Sequence, residues 1–347
     1  MSETIQESMY DRYPYEKRRE LDRPEGVLKR SRKRIQAHLR KRYLRWYYNW
    51  NSIADQRLDF SKLTKFTNEF LPEGGPLPWL DRPEAPELVT QRLNAGEINK
   101  DQAELAKRWM EDGYVILKGV IDLSELDRIW ETYERAVFDG KVPIEVYQKG
   151  MGDLFLGRCL DAHVWVPQLR DISHHPKFLE TASFLLGVKA VPFQTIIGFA
   201  GSEQSEHSDS IHMSTYPLGY MTAAWVAFED IHPDSGPLVY YPKSHRLSYL
   251  FSRHLPKTDD LSYKRGRWYN DHYEPRIKQL IEEHDLKPKY LDAKKGDVLF
   301  WHANLIHGGS RRENKSLSRR AIVAHYFGKG AFCYSDRNET MVNIFQG

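Results

Sequence analysis

Two side chains that can bind a metal ion stand two positions apart in the segment 205–212, which reads SEHSDSIH. Because alternate residues of an extended strand project from the same face, His207 and Asp209 can present a nitrogen and a carboxylate oxygen to one ion. A third ligand from another strand would complete a triad of two histidines and one carboxylate. Such a triad leaves coordination positions open for substrate atoms and dioxygen, as oxygen-activating iron requires, whereas a structural zinc site leaves none.

Candidates for the third ligand follow a strand pattern in the last quarter of the chain. Residues 296–301 read GDVLFW, a run typical of a buried strand, and the chain then continues to His302 and His307. His307 is followed by two glycines, which let the backbone come close to a bound ligand. Arg319 opens the next strand pattern. An arginine directed inward needs an anion, and its planar fork suits a carboxylate.

The elements that must position these residues are mainly β-strands. From about residue 190, short apolar or aromatic runs bounded by Gly, Pro and Asp predict strands at 190–201, 219–230, 236–242, 296–301 and 320–328. Many short strands after helices indicate a sandwich or barrel of antiparallel sheets with flanking helices.

Two helices and one strand are predicted upstream of these runs. Asp101 and Glu104 have the spacing of a capping box for a first helix, which Gly113 ends. Residues 114–121 are predicted as a buried strand, and Ser124 is predicted to cap a second helix. The apolar face of that helix consists of Leu126, Ile129, Trp130, Tyr133 and Val137.

The chain divides at about residue 97. Residues 1–97 are predicted to be a basic helical extension followed by a connector at 71–86 that contains five prolines. Residues 98–347 are predicted to be the β-rich domain, with an insertion at about 256–289 that contains a helix at 274–284.

The net charge of +3 hides one strongly basic segment, because thirteen Lys or Arg residues lie between Lys17 and Arg45. Apolar residues recur there at every fourth position, which predicts a helix. The simplest interpretation is a helix that packs on the main domain or on a second subunit. A membrane-surface helix and a nucleic-acid contact are the alternatives.

The composition excludes several classes of protein. No apolar run approaches the roughly 20 residues of a transmembrane helix, and the first twenty residues are too polar for a secretory signal. Two cysteines, Cys159 and Cys333, cannot build a disulfide framework or a thiolate zinc site. A cytoplasmic location is the resulting prediction.

Four motifs, taken in order, resemble the phytanoyl-CoA dioxygenase family of iron(II)/2-oxoglutarate oxygenases. They are HSD at 207–209, WVAFEDIHPDSGPLVYYPKSH at 225–245, KKGDVLFWHANLIHGGS at 294–310 and the arginine pair at 319–320, and they cover about residues 100–330. The resemblance implies a double-stranded β-helix, or jelly roll. It also implies a dioxygenase that uses Fe(II), 2-oxoglutarate and O2 to hydroxylate a small molecule or conjugated metabolite, with release of succinate and CO2.

The resemblance extends to individual residues. His207, Asp209 and His307 resemble the catalytic iron ligands of the family, and Arg319 resembles the residue that binds the distal carboxylate of 2-oxoglutarate. Ser310 lies near the position where the family often places a hydroxyl on that carboxylate. The family pattern favours His307 over its rival His302 as the third ligand.

Two positions qualify the resemblance. Lys243 stands where the usual turn of the family has glycine, which predicts a changed turn or an added positive charge near the site. Related iron halogenases have a small residue in place of the carboxylate ligand, so Asp209 favours hydroxylation or another oxidation over halogenation. His245 and His325 are predicted to be structural histidines, and Trp301 is predicted to be part of the pocket wall.

The substrate is the least determined feature. Candidate substrate contacts are His212, Tyr216, Trp225 and Arg267, and the arginine and aromatic content of the insertion suits an anionic or sugar-like molecule. Two other functions stay open. One is a jelly-roll binding protein without turnover, and the other is an oxygenase that acts on nucleic acid through the basic N-terminal segment.

Overall fold

The computed structural model of the chain describes residues 52–54, 68, 71, 74–142, 158–256 and 268–341. The predicted basic helix lies outside the described residues, as does Arg267. The division of the chain at residue 97 therefore stays a prediction. None of the described helices is both long enough and apolar enough to cross a membrane.

The helices lie mainly in the first half of the described chain. They are α1 (Ala85–Asn94), α2 (Lys100–Asp112), α3 (Leu123–Phe138), α4 (Leu169–Ser173), α5 (Pro176–Leu186) and α6 (Glu274–Glu283). A π-helical turn at Tyr269–Tyr273 leads directly into α6.

The caps of α2 and α3 differ from those predicted. The side chain of Asn99 accepts a hydrogen bond from the Gln102 backbone N–H, and the Gln102 side chain accepts one from the Asn99 N–H. The capping box is therefore this pair and not Asp101 with Glu104. Asp122, not Ser124, caps α3, because its carboxylate accepts the first free N–H groups of that helix. The predicted end of α2 at Gly113 is confirmed by a left-handed φ of 80°.

Twelve short strands are described. They are β1 (Tyr114–Leu117), β2 (Cys159–Leu160), β3 (Ala190–Gly198), β4 (Ser214–Tyr216), β5 (Met221–Ala227), β6 (Leu238–Tyr240), β7 (Lys289–Tyr290), β8 (Val298–His302), β9 (His307–Gly309), β10 (Ala321–Gly328), β11 (Phe332–Ser335) and β12 (Thr340–Met341). The predicted strand at 114–121 is shorter than expected and ends at Leu117.

The strands form one large sheet and two small ones, all with antiparallel pairing. The large sheet has the order β1-β8-β5-β10-β3-β2, and the small sheets have the orders β7-β6-β9 and β12-β11-β4. The order is non-sequential because the chain alternates between the large sheet and the small ones. The predicted jelly-roll fold, mainly β with flanking helices, is confirmed.

Alternation along the central strands separates two cores. On β5 and β8 the outward residues Ala224, Val226 and Phe300 pack in one cluster with the predicted apolar face of α3. The inward residues Trp225 and Trp301 pack against residues of β6 from the facing small sheet. Because side chains of a strand project to opposite faces in turn, the helices cover one side of the large sheet and the other side faces the interior.

Lys243 adopts a backbone conformation that usually favours glycine. Lys243 adopts φ 72° and ψ −11°, a left-handed conformation, and its N–H donates to the carbonyl of Asp112 at the end of α2. The side chain is exposed. The predicted change of the turn relative to the family stays a prediction, and the chain holds a non-glycine residue here in a conformation that costs roughly 1–2 kcal/mol.

Substitution at this turn should change stability in opposite directions. Lys243→Gly should raise the free energy of unfolding by up to about 1 kcal/mol, because glycine adopts this φ without a steric penalty. Lys243→Val should lower it by about 1–2 kcal/mol, because a β-branched residue fits the left-handed region poorly. Lys243→Asn is the control and should stay close to wild type. Urea denaturation measures the stability of all three variants. Equal denaturation midpoints for the Gly and Val variants would contradict backbone strain at Lys243.

Candidate active site

His207 and His307 meet across a short antiparallel bridge. Each backbone N–H donates to the carbonyl of the other residue at 2.9 Å, so these two residues are locked side by side at the interior edge of β9. Asp209 does not continue the strand as predicted. It begins a 3-10 turn at Asp209–Ile211, after Ser208 in extended conformation.

The three side chains still converge. The Nε2 atoms of His207 and His307 lie 3.9 Å and 3.8 Å from Oδ1 of Asp209, and one ligand atom from each residue lies within 4.8 Å of the others. All three residues are buried.

Backbone carbonyls orient both imidazoles. Nδ1 of His207 lies 2.8 Å from the carbonyl oxygen of Ser205, and Nδ1 of His307 lies 3.0 Å from that of Leu305. A carbonyl can only accept, so Nδ1 carries the proton and Nε2 keeps a lone pair directed at the centre of the triad. Burial lowers the pKa of His207 to about 3, which keeps that ring neutral. Two neutral imidazoles and one carboxylate are the donor set that suits non-haem iron(II).

The second oxygen of Asp209 has its own partners. The indole Nε1 of Trp301 donates to Oδ2 at 2.7 Å, and Nε2 of His325 lies 3.8 Å from the same atom. Burial raises the pKa of Asp209, but the surrounding imidazoles and the Trp301 hydrogen bond outweigh burial and leave the pKa below its ordinary value. Asp209 is therefore a carboxylate whose Oδ1 faces His207 and His307. Sequence reasoning placed Trp301 in the pocket wall and missed this bond.

The triad opens into a cavity of about 500 Å³. The floor comes from alternate residues of the large sheet, since Ala321, Val323 and His325 of β10 lie beside residues of β3. The lining includes Arg158, Gln194, Ile196, Gly198, His212, Trp225, Trp301, Gly308, Gly309, Arg319, Arg337 and Asn338.

Arg319 is a buried cation in the wall of this cavity. Its guanidinium lies 5.7 Å from the centre of the Trp225 ring, and it forms no salt bridge with any described residue. Its Nε is buried without a hydrogen-bond partner in the described part of the chain. Burial, with the nearby charge of Arg312, lowers the pKa of Arg319 to about 10, so it stays protonated near neutral pH. A buried unpaired cation is costly, and the distal carboxylate of 2-oxoglutarate is an anion that fits it.

The two glycines after His307 serve a contact within the chain. A Cβ at Gly308 would lie 2.8 Å from the Gln204 carbonyl oxygen, and one at Gly309 would lie 2.6 Å from the Ser202 hydroxyl. The close approach that sequence reasoning assigned to a ligand is therefore made by the segment that leads into His207. Both glycines also line the cavity.

The remaining predicted residues divide into those that reach the cavity and those that do not. His212 and Trp225 line it, and the Nε2 of His212 lies 3.1 Å from the Tyr269 hydroxyl. Tyr216 is buried in β4 and is not among the lining residues. The hydroxyl of Ser310 donates to the Pro237 carbonyl at 2.8 Å, and Ser310 is also absent from the lining.

The rival histidine is directed elsewhere. His302 ends β8, and its Nε2 lies 3.1 Å from Oδ2 of Asp81. Its ring lies 5.5 Å from the ring of His245, on the opposite side of the strand from Trp301. Within the described ranges, His302 takes no part in the cluster of His207, Asp209 and His307.

Comparison with known proteins places the chain among oxygenases. Residues 109–321 match the family model for phytanoyl-CoA dioxygenase. A mouse (Mus musculus) phytanoyl-CoA dioxygenase domain-containing protein 1 is 28% identical over 244 residues, which cover 66% of this chain and 76% of that protein. The peroxisomal phytanoyl-CoA dioxygenase of Mus musculus is 22% identical over 298 residues, covering 76% of this chain and 84% of the relative.

Two solved structures have the same fold. The epimerase SnoN in complex with Fe3+, alpha ketoglutarate and nogalamycin RO aligns with a TM-score of 0.52 at 20% identity, covering 67% of this chain and 85% of SnoN. EctD from S. alaskensis with bound Fe aligns with a TM-score of 0.51 at 19% identity, covering 67% of this chain and 77% of EctD.

The Trp301 hydrogen bond should contribute to metal affinity. Trp301→Phe removes the indole N–H that orients Asp209, and Fe(II) affinity should fall about 10- to 100-fold, as for other losses of a partner behind a metal ligand. Trp225→Phe removes an indole from the same cavity wall and should keep the wild-type affinity. Anaerobic calorimetric titration with Fe(II) measures both variants. Equal losses of Fe(II) affinity in the two variants would show that the effect comes from packing and not from the hydrogen bond.

Proposed function

This chain belongs to the phytanoyl-CoA dioxygenase family, and we propose that it hydroxylates a small molecule or conjugated metabolite with release of succinate and CO2. The observation that supports this most directly is one cavity that contains both the cluster of His207, Asp209 and His307 and the buried cation of Arg319, which has no salt-bridge partner among the described residues.

His207, Asp209 and His307 would hold the iron. When bound with 2-oxoglutarate and O2, the iron supplies the oxidising power that breaks a substrate C–H bond. The protein fixes the ligands beforehand. The carbonyls behind both histidines set the tautomer, and Trp301 donates to Oδ2 of Asp209, so that Oδ1 would be the oxygen left to hold the metal.

Arg319 would bind 2-oxoglutarate by its distal carboxylate. The backbone N–H of Arg319 donates a hydrogen bond to the carbonyl of Phe199 at 2.8 Å. This bond fixes the start of β10 against the end of β3. The face of Trp225 lies beside the guanidinium and limits access of water to the ion pair. Burial of the cation in the cavity wall strengthens its attraction for a carboxylate.

Asp209 supports hydroxylation or a related oxidation. Its carboxylate would take the position that a halide needs at the iron, so halogenation is not proposed. Solved relatives of this fold include an epimerase and a carbocyclase. The product of this enzyme should therefore be assigned by an untargeted metabolite screen that scores the 2-oxoglutarate-dependent gain of one oxygen.

The choice between the two candidate third ligands can be tested directly. His307→Gln, His207→Ala and Asp209→Ala should each abolish succinate formation from 2-oxoglutarate, because each removes a metal ligand. His302→Gln should retain activity, because the His302 side chain is directed at Asp81. Succinate is measured by mass spectrometry on proteins with matched circular dichroism. Full activity in His307→Gln with loss in His302→Gln would reverse the assignment.

Arg319 and Arg320 form a natural matched pair. Arg319→Gln should raise KM for 2-oxoglutarate about 10- to 100-fold, the expected loss for a charged hydrogen bond, while Fe(II) affinity stays unchanged. Arg320 points to the other side, near Glu134, Glu229 and the Trp130 ring, so Arg320→Gln should leave KM unchanged. If both variants raise KM equally, the role of Arg319 as a specific carboxylate ligand is refuted.

A further inference from the structure

Two further arginines line the same cavity. Arg337 and Arg158 are partly exposed, whereas Arg319 is buried. Asn338, which is exposed, also lines the cavity. Among the described lining residues, Asp209 supplies the one carboxylate.

The charges of the iron centre are already balanced without these arginines. A divalent iron and the Arg319 guanidinium are offset by the Asp209 carboxylate and the two carboxylates of 2-oxoglutarate. The guanidinium of Arg337 is therefore a positive charge in the cavity lining that the cofactors do not neutralise.

Arg337 is held in place for binding. Its backbone N–H donates to the carbonyl of Ile211 at 2.9 Å, in the turn that begins with Asp209. Its guanidinium lies 3.9 Å from the centre of the Tyr269 ring. A stacked guanidinium keeps its N–H groups in a fixed plane, which reduces the entropy lost when they bind an oxyanion.

The loop that carries Arg337 is also anchored. The buried carboxylate of Asp336 accepts the backbone N–H groups of Asn68 and Ser252, each at 2.7 Å. Glu274 interacts electrostatically with Arg337 but forms no ion pair with it and does not line the cavity. In the described part of the chain, Arg337 has no salt-bridge partner, although its position is well defined.

We infer that the substrate carries a carboxylate or phosphate group, and that Arg337 binds this group, with Arg158 as a second cation of the same cavity lining. The inference rests on the proposed function, because it assigns Arg319 to 2-oxoglutarate. The cavity volume falls in the range of about 300–1,000 Å³ that is typical of small-molecule sites. With its anion on Arg337, such a substrate would extend its carbon skeleton toward the triad.

Matched probes test the charge requirement. Hexanoate, hexyl phosphate and neutral hexanamide share one alkyl chain and are titrated calorimetrically into anaerobic protein loaded with Fe(II) and 2-oxoglutarate. At least one of the two anions should bind about tenfold or more tightly than the amide, and its affinity should fall as salt is raised. The stronger of the two anions identifies the oxyanion. Equal binding of all three probes would overturn the inference.

Variants locate the anion site. Arg337→Gln should weaken the preferred anion about tenfold or more and leave hexanamide and 2-oxoglutarate binding unchanged, while Arg337→Lys should retain part of the affinity. Adding Arg158→Gln to Arg337→Gln should weaken binding of the preferred anion further. Arg311→Gln is the control, because Arg311 is highly exposed and does not line the cavity. Wild-type anion affinity in Arg337→Gln would refute the site.

The same titrations separate this inference from the proposed function. Binding of Fe(II) and 2-oxoglutarate is measured first, in the absence of any probe. If neither binds, the proposed function fails and the inference fails with it. If both bind and the probes show no preference for an anion, only the inference is overturned.

Discussion

The buried carboxylate of Asp209 is the constraint on which the site depends. An ionised group at 3% exposure requires partners, and each of its oxygens has a different set. Oδ2 accepts from Trp301 and lies near His325, and Oδ1 faces His207 and His307. The partners come from the small sheet through β9 and from the large sheet through β8 and β10. The charge is therefore stabilised only when the two sheets are packed face to face.

The same packing explains why the flanking turns are so closely fitted. The glycines after His307 admit the backbone of 202–206, which brings His207 into its bridge with His307. Behind the triad, the hydroxyl of Tyr273 accepts the N–H of Ser208, and Tyr273 stacks on Tyr269. The described part of the predicted insertion thus supports the ligand segment through its π-helical turn. The sequence predicted that this insertion contacts the substrate. Tyr269 connects that predicted role with the support of the ligand segment, because Arg337 and His212 both contact its ring.

Charge is distributed in the cavity so that different cations have different tasks. Burial holds the pKa of His212 well below its ordinary value, and burial lowers that of His325 to about 4, so both rings are neutral near physiological pH. The permanent positive charges are then the arginines. Arg319 is buried beside Trp225, whereas Arg337 and Arg158 are partly exposed. Under the proposals above, Arg319 would bind the carboxylate of 2-oxoglutarate and Arg337 the anion of the substrate.

The sequence by itself determined the features that depend on local pattern. Alternating and apolar runs predicted the five main strands, and the spacing of apolar residues predicted the buried face of α3. The type and spacing of His207 and Asp209 indicated a candidate iron site, and the resemblance to the family implied His307 as the third ligand and Arg319 as the residue that binds 2-oxoglutarate. Only the tertiary structure decided whether His302 or His307 faces His207 and Asp209. His302 and His307 are five residues apart in sequence, and the register of β8 and the bridge of β9 direct one to Asp81 and the other to Asp209. It also revealed the bond from Trp301, 92 residues away from Asp209 in sequence, and placed Arg337 beside the turn that follows Asp209. No local pattern encodes such contacts, because they arise from pairing and packing between strands that are distant along the chain.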